Sequence, residues 1–149
     1  MRIKTAREWA TELMGAMRMK IAVIVARVLL GLVFVAAGAV KFMPMKPGSM
    51  PPGDMATMVG LMAAHGWIIF YGVFELAAGL MLLVGRFVPL GLTLLAALLV
   101  NILLFNVTLA PNALGILLTL VLGALELFLV WAYRESFAGV FAAKAAAKS

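Results

Sequence analysis

The sequence predicts an all-α membrane protein, a polytopic four-helix bundle preceded by an interfacial amphipathic helix. Of the 149 residues, 66% are hydrophobic and only 12% are charged, and the mean hydropathy is +1.16. Soluble domains average roughly 45–50% apolar and about 25% charged residues. Four apolar stretches, at about 21–42, 67–85, 87–107 and 113–133, are each long enough to cross a bilayer as a helix. Because these stretches are continuous rather than alternating, helices are favoured over barrel strands.

The segments that flank the four spans are more polar. In residues 1–20 the apolar side chains are spaced alternately three and four apart, at Ile3, Ala6, Ala10, Leu13 and Met17. That spacing places them on one helical face, which predicts an amphipathic helix lying in the membrane interface. Residues 137–149 are rich in Ala and Lys and are predicted to form a tail on the same side of the membrane.

The basic residues predict the orientation of the chain. An even number of spans puts both termini on one side, together with nine basic residues: Arg2, Lys4, Arg7, Arg18, Lys20, Arg86, Arg134, Lys144 and Lys148. The other side has only Lys41 and Lys46. This bias predicts cytoplasmic termini. It also makes membrane lipid, through its anionic headgroups, the expected partner, and no nucleic acid is expected because the charges lie in separate short flanks.

The loop at 43–66, on the opposite side from the termini, is rich in methionine. Asp54 is predicted to be the N-cap of a short helix that ends near Ala64. Thioethers and imidazole select Cu(I), so one hypothesis is a copper site drawn from Met43, Met45, Met50, Met55, Met58, Met62 and His65. The favoured interpretation is that the methionines form an apolar lid over the bundle.

Ionisable residues inside the spans are expensive and therefore indicate function. Arg27, Glu75 and Glu126 lie well inside, Lys41 lies at the outer end of the first span, and Asn101 lies within the third. Counting about 1.5 Å per residue puts Arg27 and Glu126 at about the same depth. The predicted interior therefore contains an Arg27–Glu126 or an Arg27–Glu75 ion pair. One acid is then left over, unless it is protonated or meets Lys41, a ligand or a partner.

Small residues predict which faces point inward. Arg27, Gly31, Phe34, Gly38 and Lys41 form one stripe on the first span, and Gly72, Glu75 and Gly79 share a face of the second. Small residues permit close approach of membrane helices. Both stripes are therefore predicted to face protein rather than lipid.

The side-chain inventory provides no catalytic set. The chain has no Cys and one His, so Cys-ligated metal centres, thiol nucleophiles and His-only metal clusters are excluded within one chain. Any redox chemistry would have to come from a bound cofactor or a partner.

Several motifs resemble the DoxX family of small bacterial membrane proteins. They are Arg27-x3-Gly31-x2-Phe34-x3-Gly38-x2-Lys41-Phe42, then Glu75-Leu76-x2-Gly79 and Gly85-Arg86, and the exit of the fourth span at Leu125–Arg134. The resemblance implies a four-helix bundle in the bacterial inner membrane. Some relatives are linked to membrane oxidoreductase systems, including a subunit of thiosulfate:quinone oxidoreductase.

Three hypotheses about function remain open. The leading one is an accessory subunit of a redox system that binds a quinone or similar lipophile in a cavity lined by Arg27, Glu75, Asn101 and Glu126, alongside a partner subunit. The second is handling of Cu(I) or another cation through the methionine-rich loop and the buried acids. The third is a scaffold whose buried charges only fix helix register. A homo-oligomer is compatible with each.

Overall fold

The computed structural model describes residues 5–44, 52–109 and 111–138. These residues form five α-helices: α1 (Ala6–Val40), α2 (Asp54–Ala64), α3 (Trp67–Val84), α4 (Val88–Thr108) and α5 (Ala113–Ala132). A short 3-10 turn (Arg134–Phe137) follows α5. Helices α1, α3, α4 and α5 are long and apolar enough to cross a membrane, which confirms the predicted all-helical membrane fold.

The predicted interfacial helix and the first span are one continuous helix, α1, of 35 residues. A capping box starts it: Thr5 N–H donates to Glu8 Oε2 (2.7 Å) and Glu8 N–H donates to Thr5 Oγ1 (3.4 Å). At 1.5 Å per residue α1 is about 52 Å long, well beyond a hydrocarbon core of about 30 Å. Residues 5–20 are all exposed, so the bundle proper begins after Lys20.

The four spanning helices surround an aliphatic core. Its fully buried side chains come from every span and include Leu30, Phe34, Ala78, Leu82, Leu92, Leu95 and Leu129. The largest contact between spans is that of α1 with α3. The α3–α4 and α4–α5 contacts are smaller, and the α1–α5 contact is smaller still. The bundle is therefore closed on three sides and looser on the α1–α5 side.

Helix α1 and helix α3 approach each other backbone to backbone. A Cβ added at Gly38 would lie 2.8 Å from the Gly72 carbonyl oxygen, and one added at Gly79 would lie 2.9 Å from the Gly31 carbonyl oxygen. Gly31, Gly38, Gly72 and Gly79 are all buried. The predicted inward-facing stripes of both helices are thus confirmed.

The predicted loop helix is present as α2, which packs against α3. Asp54 is its first helical residue rather than its N-cap; Gly53 takes the cap position with no side-chain hydrogen bond. The predicted cap, and with it the first helical residue, was therefore wrong by one position, although the predicted end of the helix at Ala64 was right.

Candidate ligand-binding cavity

An ion pair lies at the end of the bundle covered by α2. Lys41 Nζ is 2.6 Å from Glu75 Oε2, and the Glu75 side chain is only 3% exposed while that of Lys41 is 31% exposed. Lys41 follows the last turn of α1, and its ammonium also donates weakly to the Ala37 carbonyl oxygen (3.5 Å). The long aliphatic stem thus lets the charge reach back into the bundle.

The glycine contacts bring the two charges together. Glu75 is one turn along α3 from Gly72, whose added Cβ would lie 3.1 Å from both the Gly38 carbonyl oxygen and the Lys41 Cβ. With larger residues at this crossing, the two helices could not approach closely enough for the ammonium to reach the carboxylate. The pair therefore depends on the small residues in both stripes.

The ion pair borders a cavity of about 440 Å³. Its walls come from all four spans, and its roof comes from α2 through Met55, Val59 and Met62. The wall is mostly apolar, and five polar side chains also line it: Lys41, Glu75, Tyr71, Asn101 and Asn106. The volume is in the range of about 300–1,000 Å³ typical of small-molecule sites.

The cavity lies partly between α1 and α5. Val33, Ala37 and Val40 of α1 and Leu122 of α5 line it, so these helices are not in tight contact at this level. A hydrogen bond joins α4 to α5 beside the cavity: the Asn106 amide nitrogen donates to Thr119 Oγ1 at 3.4 Å. The same nitrogen also donates to the Ile102 carbonyl oxygen of its own helix at 3.0 Å.

The predicted pairing of Arg27 with an acid was wrong. Among the residues that the structure describes, Arg27 forms no ion pair with Glu75 or Glu126, and its Nη1 donates instead to the Tyr133 hydroxyl at 3.3 Å. The guanidinium also lies against the α3–α4 turn, where a Cβ on Gly85 would be 2.8 Å from Nη1. The estimate from residue depth assumed that the Arg27 side chain points toward the middle of the bundle. It points instead toward the end opposite α2, where Tyr133 and Gly85 lie.

Glu126 is buried apart from the cavity. It is 5% exposed, and its Oε1 has no hydrogen-bond partner among the described residues. Asn101, predicted to lie in the polar interior, is instead exposed at the edge of the cavity. The structure therefore separates the five predicted polar residues: Lys41 and Glu75 pair at the cavity, Asn101 lies at its edge, and Arg27 and Glu126 do not line it.

The methionines of the loop occupy several positions. Met55 and Met62 roof the cavity, while Met58, Met62 and His65 line a second, more external opening of about 490 Å³. Met43 is 64% exposed just after α1. Met45 and Met50 lie outside the described residues. No group of three or more His, Asp or Glu forms within the described ranges, and the copper hypothesis, which depends on thioethers, stays a prediction.

Sequence reasoning missed three residues of these sites. Tyr71 lines both openings, Asn106 lines the cavity, and Tyr133 is the partner of Arg27. Asn106 could have been found from the sequence, because it lies inside the last turn of α4 and an amide within a span needs a hydrogen-bond partner.

This geometry defines a small helical membrane protein of four spans with a ligand-sized cavity near one end. The chain belongs to the DoxX family, whose model matches residues 22–109. The matched range contains Lys41 and Glu75 and ends with α4, so α5 lies outside it. Comparisons with curated proteins and with solved structures gave no match.

Proposed function

We propose that this protein binds a quinone-like lipophile in the cavity under α2 and acts as an accessory subunit of a membrane redox system. The observation that supports this most is the Lys41–Glu75 ion pair, which borders a mostly apolar cavity covered by α2. An apolar wall suits a prenyl or alkyl chain, and a few convergent polar groups fix the orientation of a polar head.

The ion pair offers both kinds of hydrogen bond that a quinone and its reduced form require. The Lys41 ammonium has three N–H donors, of which one is used by Glu75 and one weakly by the Ala37 carbonyl. The remaining donor can bind a carbonyl oxygen of the ligand. Glu75 can accept a hydrogen bond from a ligand hydroxyl. The quinone supplies two-electron redox chemistry when bound, and the partner subunit would exchange the electrons.

The first experiment is native mass spectrometry of the protein gently extracted from its membrane, followed by titration with decylubiquinone. Quenching of tryptophan fluorescence reports binding, because Trp67 lines the neighbouring opening. We expect Glu75→Gln and Lys41→Gln to weaken binding about tenfold, as is typical for the loss of a charged hydrogen bond.

Lys20→Gln is the matched control, because it removes the same charge from the opposite end of the membrane-spanning part of α1. It is expected to leave quinone affinity unchanged. Unchanged ligand retention and unchanged partner activity in Glu75→Gln would overturn the proposal. Intact function after Arg27 and Glu126 are both replaced by apolar residues would assign those two to the scaffold alone.

A second candidate, binding of Cu(I), is favoured by one observation: Met58, Met62 and His65 line the same external opening. Two thioethers and an imidazole form a donor set that Cu(I) accepts. Titration with Cu(I) should then show stoichiometric binding that Met58→Leu/Met62→Leu abolishes. Met14→Leu/Met17→Leu, on the exposed part of α1, serves as the control, and equal losses in both double variants would remove this candidate.

We further propose a bacterial inner-membrane location with both termini in the cytoplasm, supported by the distribution of basic residues. The chain has no Cys, so single cysteines can be introduced without background. A membrane-impermeant maleimide should label Thr57→Cys in intact spheroplasts and should label Ser136→Cys only after lysis. The reverse pattern would invert the orientation.

A further inference from the structure

A third opening, a cleft, lies at the end of the bundle opposite the cavity. We call this end the basic end and define it by Lys20, Arg86 and Arg134. The cleft has a volume of about 540 Å³ and lies between α1 and α5. Its lining is Met19, Lys20, Val23, Ile24, Trp131, Ala132, Tyr133 and Arg134. We propose that it binds an anionic glycerophospholipid, with the phosphate between Lys20 and Arg134.

The position of the cleft along α1 matches the headgroup level of a bilayer. Lys20 and Lys41 are separated by about 31 Å of helix, close to the hydrocarbon thickness of about 30 Å. Arg134 lies two residues beyond the end of α5, whose 20 residues span a similar length. Both cations therefore lie where phosphate groups of one leaflet are found.

The donors at this site are well placed for a phosphate. Arg134 Nη1 donates to the Trp131 carbonyl oxygen (3.1 Å), and its guanidinium lies 5.0 Å from the centre of the Trp131 ring. These contacts orient the guanidinium and cover a C-terminal carbonyl of α5 that would otherwise repel an anion. The other guanidinium N–H groups stay available for phosphate oxygens.

Tyr133 adds a polarised hydroxyl. Its oxygen accepts a hydrogen bond from Arg27 Nη1 (3.3 Å), which leaves its own O–H as a donor. A hydroxyl that accepts from a cation is a stronger donor, because hydrogen bonds in a chain polarise one another. Arg27 thus places a third positive charge behind the cleft, and Glu135, although adjacent to Arg134, is exposed and does not line it.

The apolar lining argues for a lipid rather than a free phosphate ion. Val23, Ile24 and the Trp131 ring extend from the cations toward the spanning part of the bundle, and Met19 adds an apolar side chain beside Lys20. An acyl chain can cover these side chains, whereas inorganic phosphate cannot. Basic pockets between membrane helices are known to bind anionic headgroups in this way.

The test is lipid binding by the full chain in detergent micelles, measured by native mass spectrometry during titration with phosphatidylglycerol or phosphatidylcholine. We expect tighter binding of phosphatidylglycerol, and binding about 25-fold weaker in Lys20→Gln/Arg134→Gln, from about fivefold for each cation removed. Tyr133→Phe should weaken binding by a smaller factor of about three to five, since it removes one hydrogen bond.

Arg18→Gln/Arg86→Gln is the matched control, because it removes two charges near the same end but outside the cleft. It should leave phosphatidylglycerol binding within about twofold of the unmodified protein, since its charges lie outside the site and are screened. Equal losses in both double variants, equal binding of the two lipids, or displacement of bound lipid by excess inorganic phosphate would each overturn the proposal. Circular dichroism of each variant verifies that the fold is intact.

Discussion

The two neighbours of α1 differ in how closely they pack against it. Against α3, four glycines allow the backbones to touch along the whole crossing. Against α5, the contact near the basic end includes the Arg27–Tyr133 hydrogen bond, and toward the α2 end a cavity lies between the helices. The tight side holds the Lys41–Glu75 pair in place, and the loose side leaves room for a ligand. Rigid positioning and open volume are thus provided by different faces of one helix.

The largest expected effect comes from opening the tight side. In Gly38→Leu, the new Cβ would lie 2.8 Å from the Gly72 carbonyl oxygen and 2.9 Å from the Leu76 backbone nitrogen. These are backbone atoms that cannot swing away, so the helices must separate. We expect a loss of about 3 kcal/mol in the free energy of unfolding, measured by denaturation in mixed micelles.

Gly15→Leu in the same helix is the control for this change. A Cβ at Gly15 has nothing within 4 Å, so the substitution should be neutral or slightly stabilising through helix propensity. If both variants unfold at the same denaturant concentration, the glycine contact between α1 and α3 does not stabilise the bundle.

The next effect concerns the ion pair. Lys41→Met leaves the carboxylate of Glu75 buried without its cation, and we expect a loss of about 2 kcal/mol. The double variant Lys41→Met/Glu75→Leu should recover to within about 1 kcal/mol of the unmodified protein, since an apolar pair carries no desolvation cost. Thermal unfolding of both variants tests whether the double variant is more stable than Lys41→Met alone.

The same double variant separates structure from function. A stable protein that no longer binds decylubiquinone supports the proposed ligand site. If it binds decylubiquinone as the unmodified protein does, the ion pair is purely structural.

A smaller loss of stability is expected when the Arg27–Tyr133 hydrogen bond, which joins α1 to the end of α5, is disturbed. Gly85 and Gly66 have nearly identical left-handed φ values of 76° and 75°, so Ala costs about 1 kcal/mol at either position. Only at Gly85 would the new Cβ meet Arg27, 2.8 Å from Nη1. Gly85→Ala should therefore cost about 1 kcal/mol more than Gly66→Ala, because the hydrogen bond to Tyr133 is lost. Equal losses would mean that Arg27 moves aside at no cost.

The smallest effect lies between α4 and α5. Thr119→Val removes the hydrogen bond that Asn106 donates to Thr119. We expect the free energy of unfolding to fall by about 0.6 kcal/mol, the average contribution of such a bond in membrane proteins. Thr93→Val is the control, because Thr93 and Thr119 each donate to a carbonyl oxygen four residues earlier in their own helix. If the two variants have the same free energy of unfolding, apolar packing alone stabilises the contact between α4 and α5.

Residue types and spacing were sufficient to predict the spans and their inward faces. Hydropathy over about 20 residues defines a membrane helix without any knowledge of its neighbours. Glycines seven residues apart on one helical face, as at Gly31 and Gly38 or Gly72 and Gly79, mark the side that can approach another helix. The short helix α2 was also predictable, because a proline- and glycine-rich stretch ends directly before it. Its capping residue was misplaced by one position, since Asp54 fits the pattern of a cap equally well.

The pairing of charges was decided only by the tertiary structure. Arg27 lies on α1 and Lys41 at its end, Glu75 lies on α3 and Glu126 on α5, at depths that differ by a few turns. Flexible side chains can bridge such distances in several combinations. The crossing at Gly38 and Gly72 selects Lys41 for Glu75, and the turn at Gly85 directs Arg27 to Tyr133. The sequence by itself therefore determined which residues lie within the membrane spans. Helix packing decided which of them meet, because contact depends on distances of a few ångströms that spacing along one helix does not specify.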